Sequence, residues 1–167
     1  MKKSLKYDPE FIPSAKGMVF GIVVSEWNSD ITGELLDGAY NTLIEHGCSK
    51  KDITVKHVPG SFELPLGAQF LFEYTEVDAV ICLGCVIQGE TRHFEFICNA
   101  VADGIMRVGI DYSAPVLFGV LTANTMEQAI ERSGGKHGNK GTEAAISAIK
   151  MLALENDLTS DWQHYTK

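Results

Sequence analysis

MVFGIVVS, residues 18–25, is almost continuously apolar and rich in β-branched side chains, the pattern of a strand buried on both faces. Such a strand belongs in a parallel sheet with helices on either side, and the rest of the chain repeats the arrangement. Residues 31–46 read as a helix, with Ile31, Leu35, Ala39 and Leu43 at i, i+4 spacing, Ser29 or Asp30 as N-cap and Gly47 as the stop. Residues 53–58 alternate weakly as a second strand, ended by Pro59 and Gly60. Ser61 is placed to cap a helix reaching Glu73, with Pro65 tolerated in its first turn. Residues 79–87 form the third strand, 91–108 the third helix and 115–121 the fourth strand. Thr125 and Gln128 match a capping box that opens a short fourth helix. The glycine-rich stretch 134–141 interrupts it, and residues 142–156 resume as helix with Ala145, Ile149 and Leu152 on one face.

The 167 residues, 45% hydrophobic and 22% charged, suit one soluble domain, 1–167, with polar tails at 1–16 and 157–167 that are either loose or reach a neighbouring subunit. No apolar run approaches the ~18 residues of a membrane span, and the charged N-terminus lacks the apolar stretch of a signal peptide. The expected location is therefore cytoplasmic, without a membrane partner. A net charge of −8 argues against nucleic acid. Local cations still gather in RSGGKHGNK, residues 132–140, where Arg132, Lys136 and Lys140 have no acid between them; this is either a solvated basic loop or an anion site. Of the four cysteines, Cys82 and Cys85 spell C-x-x-C, yet a separation of three within a strand sends them to opposite faces. No second motif with metal-ligand spacing occurs, so neither a metal nor a redox pair is expected.

Ligands of open α/β sheets bind at the carboxyl ends of the strands. That rule selects residues 25–29 (SEWNS), 59–63 (PGSFE), 87–93 (IQGETRH) and 122–125. Gly89 and the start of the following helix offer backbone amides, and Thr91 a hydroxyl, for a phosphate; a plain strand–helix turn has the same ingredients. His93 lies in the first helical turn, either as a proton carrier or as a surface histidine. Trp27 beside Asn28, and Phe62 beside Glu63, set an aromatic next to a polar group at two adjacent strand ends. Such pairs suit a flat polar heterocycle, or they cap the core.

SEWN, VPGSFELP, LGCVIQGETRHFEFIC, PVLFGVLT and GGKHGNKGTEAA, in this order and spacing, resemble the lumazine synthase family from about Gly17 to Leu154. The family's fold is a flavodoxin-like α/β three-layer sandwich, a four-stranded parallel sheet of order 2-1-3-4 with helices on both faces. The resemblance implies condensation of 5-amino-6-(D-ribitylamino)uracil with 3,4-dihydroxy-2-butanone 4-phosphate, releasing phosphate and water, with no cofactor and no metal. It places Trp27 on the pyrimidine ring, with Asn28, Ser61, Phe62, Glu63 and Val86 on the ring and ribityl chain. Glu90, through its amide, Thr91 and Arg132 take the phosphate, and His93 moves protons. Phe118, donated across a subunit boundary, and Lys140 complete the pocket, while Glu143 orients Arg132.

Many members carry Arg-Phe-Asn where this chain has Glu26-Trp27-Asn28, which keeps the aromatic and exchanges an arginine for an acid. Active sites of the family lie between neighbours in a homo-pentamer, and the N-terminal tail is expected to add a strand to the next subunit. The short glycine linker 134–138 resembles relatives that pack twelve pentamers into a 60-subunit icosahedral shell. Riboflavin synthase is the implied protein partner. Two rivals remain, a pentameric riboflavin synthase and a non-catalytic flavin-binding cage; Thr91 and Arg132 speak against the first and His93 against the second.

Overall fold

The structure, a computed structural model, describes residues 11–165. β1 (Phe20–Ser25) is buried along its whole length, as a strand apolar on both faces is once helices cover each side. It pairs in parallel with β2 (Ile53–Val58) and with β3 (Ala79–Ile87), and β3 pairs in parallel with β4 (Val116–Ala123). The sheet order β2-β1-β3-β4 is the flavodoxin-like one.

Side-chain alternation sorts the core into two halves. Phe20, Ile22, Ile81 and Leu83 face α1 (Ser29–Glu45), α4 (Met126–Ile130) and α5 (Lys140–Tyr165). Val23, Val80, Cys82 and Val120 face α2 (Leu64–Tyr74) and α3 (His93–Tyr112). Cys85 belongs to the first half and Cys82 to the second, so the C-x-x-C pair is split by the sheet as the strand period requires. Burial pushes the Cys85 thiol up to about 11 and raises that of Cys82 as well.

Several boundaries differ from the sequence reading. Neither Ser29 nor Asp30 caps α1: the N-cap is Asn28, in the left-handed region at φ 56°. Ser61 does not cap α2 either. It opens a 3₁₀ turn, Ser61–Glu63, and its hydroxyl is buried without a hydrogen-bond partner among the described residues. At Thr125 the expected hydroxyl bond forms, from Gln128 N–H at 3.3 Å, but the glutamine carbonyl returns to Asn124 N–H at 2.9 Å, one residue before the cap.

The glycine-rich stretch folds into a small antiparallel hairpin, β5 (Ser133–Gly135) and β6 (Gly138–Asn139), turned through Gly138 at φ 82°. The expected polar C-terminal tail is instead the continuation of α5 to Tyr165; nothing in Leu154–Leu158–Thr159 breaks a helix. Residues 11–16 are not a loose tail. Ala15 is buried and its N–H donates to the His46 carbonyl at the end of α1, 2.8 Å away. The remainder of the N-terminal segment, on which the added-strand expectation falls, lies outside the described residues, as do residues 166 and 167.

Candidate functional site

Three strand ends meet at a cavity of about 570 Å³ whose lining includes Trp27, Asn28, Ser61, Phe62, Glu63 and His93. The turn after β1 is fastened from three sides. Glu26 N–H donates to the Val58 carbonyl at 2.9 Å, Thr32 Oγ1 to the Ser25 carbonyl at 2.9 Å, and Asn28 Nδ2 to the Cys85 carbonyl at 3.0 Å. Between these anchors Trp27 stands out, 72% exposed, alongside Gly60. A side chain at Gly60 would lie 3.0 Å from Glu63 Oε2 and 3.6 Å from the indole, so glycine keeps the mouth open. Phe62 is likewise 56% exposed. Large aromatic faces left in water beside a concave wall are a binding feature rather than core.

The wall opposite comes from the end of β3 and the start of α3. Val86 lines the cavity together with Ile87, which opens the strand-end segment 87–93, and with Ile97, which the sequence reading did not single out. Ile97 follows His93 by one helical turn, and that i+4 spacing is the signal that could have found it. His93 is the first residue of α3 and its N–H points to Thr91 Oγ1 at 3.4 Å. The preceding loop is tied down by Gln88, whose N–H reaches the Ala123 carbonyl at 2.9 Å and whose Nε2 reaches the Gly89 carbonyl at 2.7 Å. Glu90 and Thr91 are exposed on this loop, next to the positive end of a 20-residue helix.

Arg132 lies elsewhere in the chain. It lines a second cavity of about 440 Å³, with Thr122, Glu127, Gln128, Glu131 and His137. Lys140 Nζ pairs with Glu143 Oε2 at 2.9 Å; Glu143 is thus engaged by the lysine, and Arg132 makes no ion pair among the described residues. Phe118 sits on the edge strand β4, in register with Cys82 and 37% exposed, and lines neither cavity. One chain therefore brings together Trp27, Asn28, Ser61, Phe62, Glu63, Val86 and His93, and leaves Arg132, Phe118, Lys140 and Glu143 apart from them. Among the described residues no helix is long and apolar enough to cross a membrane.

The sequence model of the 6,7-dimethyl-8-ribityllumazine synthase family matches residues 17–156. A protein of that name from Cytophaga hutchinsonii is 61% identical over 142 residues, 85% of this chain and 89% of its own. Another, from Porphyromonas gingivalis, is 55% identical over 149 residues, 89% of this chain and 92% of its own. A third, from Flavobacterium johnsoniae, is 54% identical over 153 residues, 92% of this chain and 80% of its own.

Proposed function

The chain belongs to the 6,7-dimethyl-8-ribityllumazine synthase family, and from that footing we propose how its residues divide the work. The reaction is a transferase step of riboflavin biosynthesis. It condenses 5-amino-6-(D-ribitylamino)uracil with 3,4-dihydroxy-2-butanone 4-phosphate and releases phosphate and water. Trp27 and Phe62 hold the flat pyrimidine between aromatic surfaces, and Ser61, Glu63 and the Val86 backbone engage its polar edge and ribityl chain. The observation that carries this reading is the convergence of these side chains with His93 on one 570 Å³ cavity.

His93 relays protons, first as the uracil amine adds to the ketone and loses water, then as phosphate departs. The phosphate itself rests on the Glu90 amide, Thr91 Oγ1 and the guanidinium of Arg132. Arg132 opens on a different cavity of its own chain, so it reaches the phosphate from an adjacent copy, together with Phe118 and Lys140. Much of the acceleration comes from holding two reactants in attack geometry, worth up to ~7–11 kcal/mol in well-oriented systems.

The assembly is a homo-pentamer, with the 60-subunit shell as its larger form. Two exposed apolar stripes favour association: Leu66, Phe70 and Tyr74 on α2, and Met151, Leu154 and Leu158 on α5. All four cysteines are unpaired thiols, which suits the reducing cytoplasm. Riboflavin synthase, which consumes the product, is the protein partner this reading names. Incubating the protein with both substrates tests the whole assignment: lumazine absorbance and inorganic phosphate rise together if it holds, and a silent assay with assembled protein refutes it.

A further inference from the structure

Asn139 uses every hydrogen-bonding position of its carboxamide. Nδ2 donates to the Glu34 carbonyl on α1 at 2.7 Å and to the Ser133 carbonyl on β5 at 3.2 Å. Oδ1 accepts from Gly141 N–H at 2.8 Å and from Thr142 N–H at 3.2 Å, two unpaired amides at the start of α5. A primary amide has two donors and two acceptor positions, so this one group ties together two helices and a hairpin with nothing left over. The neighbourhood is cut to fit it. A side chain at Gly38 would collide with the Asn139 amide, and one at Gly141 would collide with the Leu35 carbonyl.

The hairpin held this way carries Arg132. Arg132 N–H donates to the Ala129 carbonyl at 3.1 Å, the Glu131 carbonyl accepts from His137 N–H at 2.8 Å, and the Arg132 carbonyl accepts from Lys140 N–H at 2.9 Å. The peptide units on both sides of the Arg132 Cα are therefore fixed. Ala129 belongs to α4, but the other two fixing partners, His137 and Lys140, flank or lie within a segment with glycine at 134, 135 and 138, the residue type that holds backbone direction least well. Without an external anchor, the peptide unit on the carbonyl side of Arg132, and with it the aim of the side chain, would follow the fluctuations of that segment. The Ser133 carbonyl, one residue beyond the arginine, is where the anchor attaches, and the Asn139 amide is the anchor. A guanidinium fork gains its strength from simultaneous, well-aligned bonds to an oxyanion, which makes its aim more demanding than its mere presence.

We propose that Asn139 is the positioning residue that aims Arg132 at the phosphate of the substrate, by clamping the hairpin to α1 and α5 at once. The proposal rests on the assignment of Arg132 to the phosphate. It gives the asparagine a role in affinity for one substrate only, distinct from its contribution to the stability of the fold.

Steady-state kinetics on the assembled enzyme separate these roles. Asn139→Ser keeps a hydroxyl acceptor for the α5 amides, since serine is a good helix cap, and is too short to reach the Glu34 and Ser133 carbonyls. The expected result is a rise of about tenfold or more in KM for the butanone phosphate, with kcat and the KM for the uracil substrate within about twofold. The inhibition constant of inorganic phosphate should rise in parallel. Should the serine variant not fold, Asn139→Asp, which also keeps the acceptor and loses both donors, is expected to give the same split. It should persist in added salt, where a pure charge effect is screened.

Thr142→Val is the structural control. It removes the hydroxyl bonds to the Gly38 carbonyl and Thr42 Oγ1, at 3.2 and 3.3 Å, on the same α1–α5 seam, and should lower Tm without changing either KM beyond about twofold. Equal rises in phosphate-substrate KM from Thr142→Val and Asn139→Ser would reduce the asparagine to a structural residue and overturn the proposal. An unchanged KM in Asn139→Ser, alongside a raised one in Arg132→Ala, overturns the proposal alone. An unchanged KM in Arg132→Ala overturns the phosphate assignment itself, and the proposal with it.

Discussion

At the scale of single residues, the roles proposed for His93 and Arg132, proton carrier and phosphate ligand, make separable predictions because they concern different parts of the reaction. Loss of the proton carrier leaves both substrates held in attack geometry, so His93→Ala should lower kcat by roughly 10²–10⁴-fold and still exceed the uncatalysed rate. Loss of the guanidinium should appear chiefly as a raised KM for the phosphate-bearing reactant; stopped assays at saturating and limiting ester distinguish the two. Cys85 makes a prediction about stability. Its thiol rises from 9.0 to about 11 because burial disfavours the thiolate, so above about pH 9 the unfolded chain releases a proton that the folded chain retains. Stability is therefore nearly intact below pH 9 and falls as pH climbs toward 11, by at most about 1.4 kcal/mol per pH unit for this group. Thermal melts across that range should show the decline, and Cys85→Ala, though less stable at neutral pH, should show a shallower one.

At the scale of elements, α1 and α5 meet at close backbone range. Thr142 Oγ1 donates to the Gly38 carbonyl and Gly141 packs against the backbone at Leu35. Gly141→Ala puts a methyl group into a carbonyl that cannot yield without moving α1, and should cost ~1–3 kcal/mol or more, read as a drop in Tm. The same elements mark what the sequence could disclose. The central strands were legible because two-sided burial imposes apolar runs such as AVICLGC, whereas the order of the four came only from the family resemblance; the strand-end rule then selected Trp27, Phe62 and His93 without any contact information. The hairpin was not legible, since GGKHGN has no alternation to read and is folded by the Asn139 amide reaching Glu34, 105 positions away. Nor was the reach of α5, because the polar composition after Asn156 looks the same in a solvated helix as in a tail. The N-cap of α1 was misread for a related reason: Asn28 takes that place through a left-handed turn and a bond to Cys85, a strand away.

At the scale of the whole molecule, exposed apolar stripes on α2 and α5 argue for burial between copies. Native mass measurement should find about 92 kDa for five copies of the 18.3 kDa chain, or about 1.1 MDa for sixty; a monomer would leave those stripes unexplained. The separation of the Arg132 cavity from the His93 cavity has a genetic corollary. Two crippled alleles, His93→Ala and Arg132→Ala, ought to rescue one another when co-expressed. In hybrid rings drawn from an equal mixture, about a quarter of the boundaries would join an intact imidazole to an intact guanidinium, whereas a centre contained in one polypeptide would gain nothing over the single variants in any hybrid.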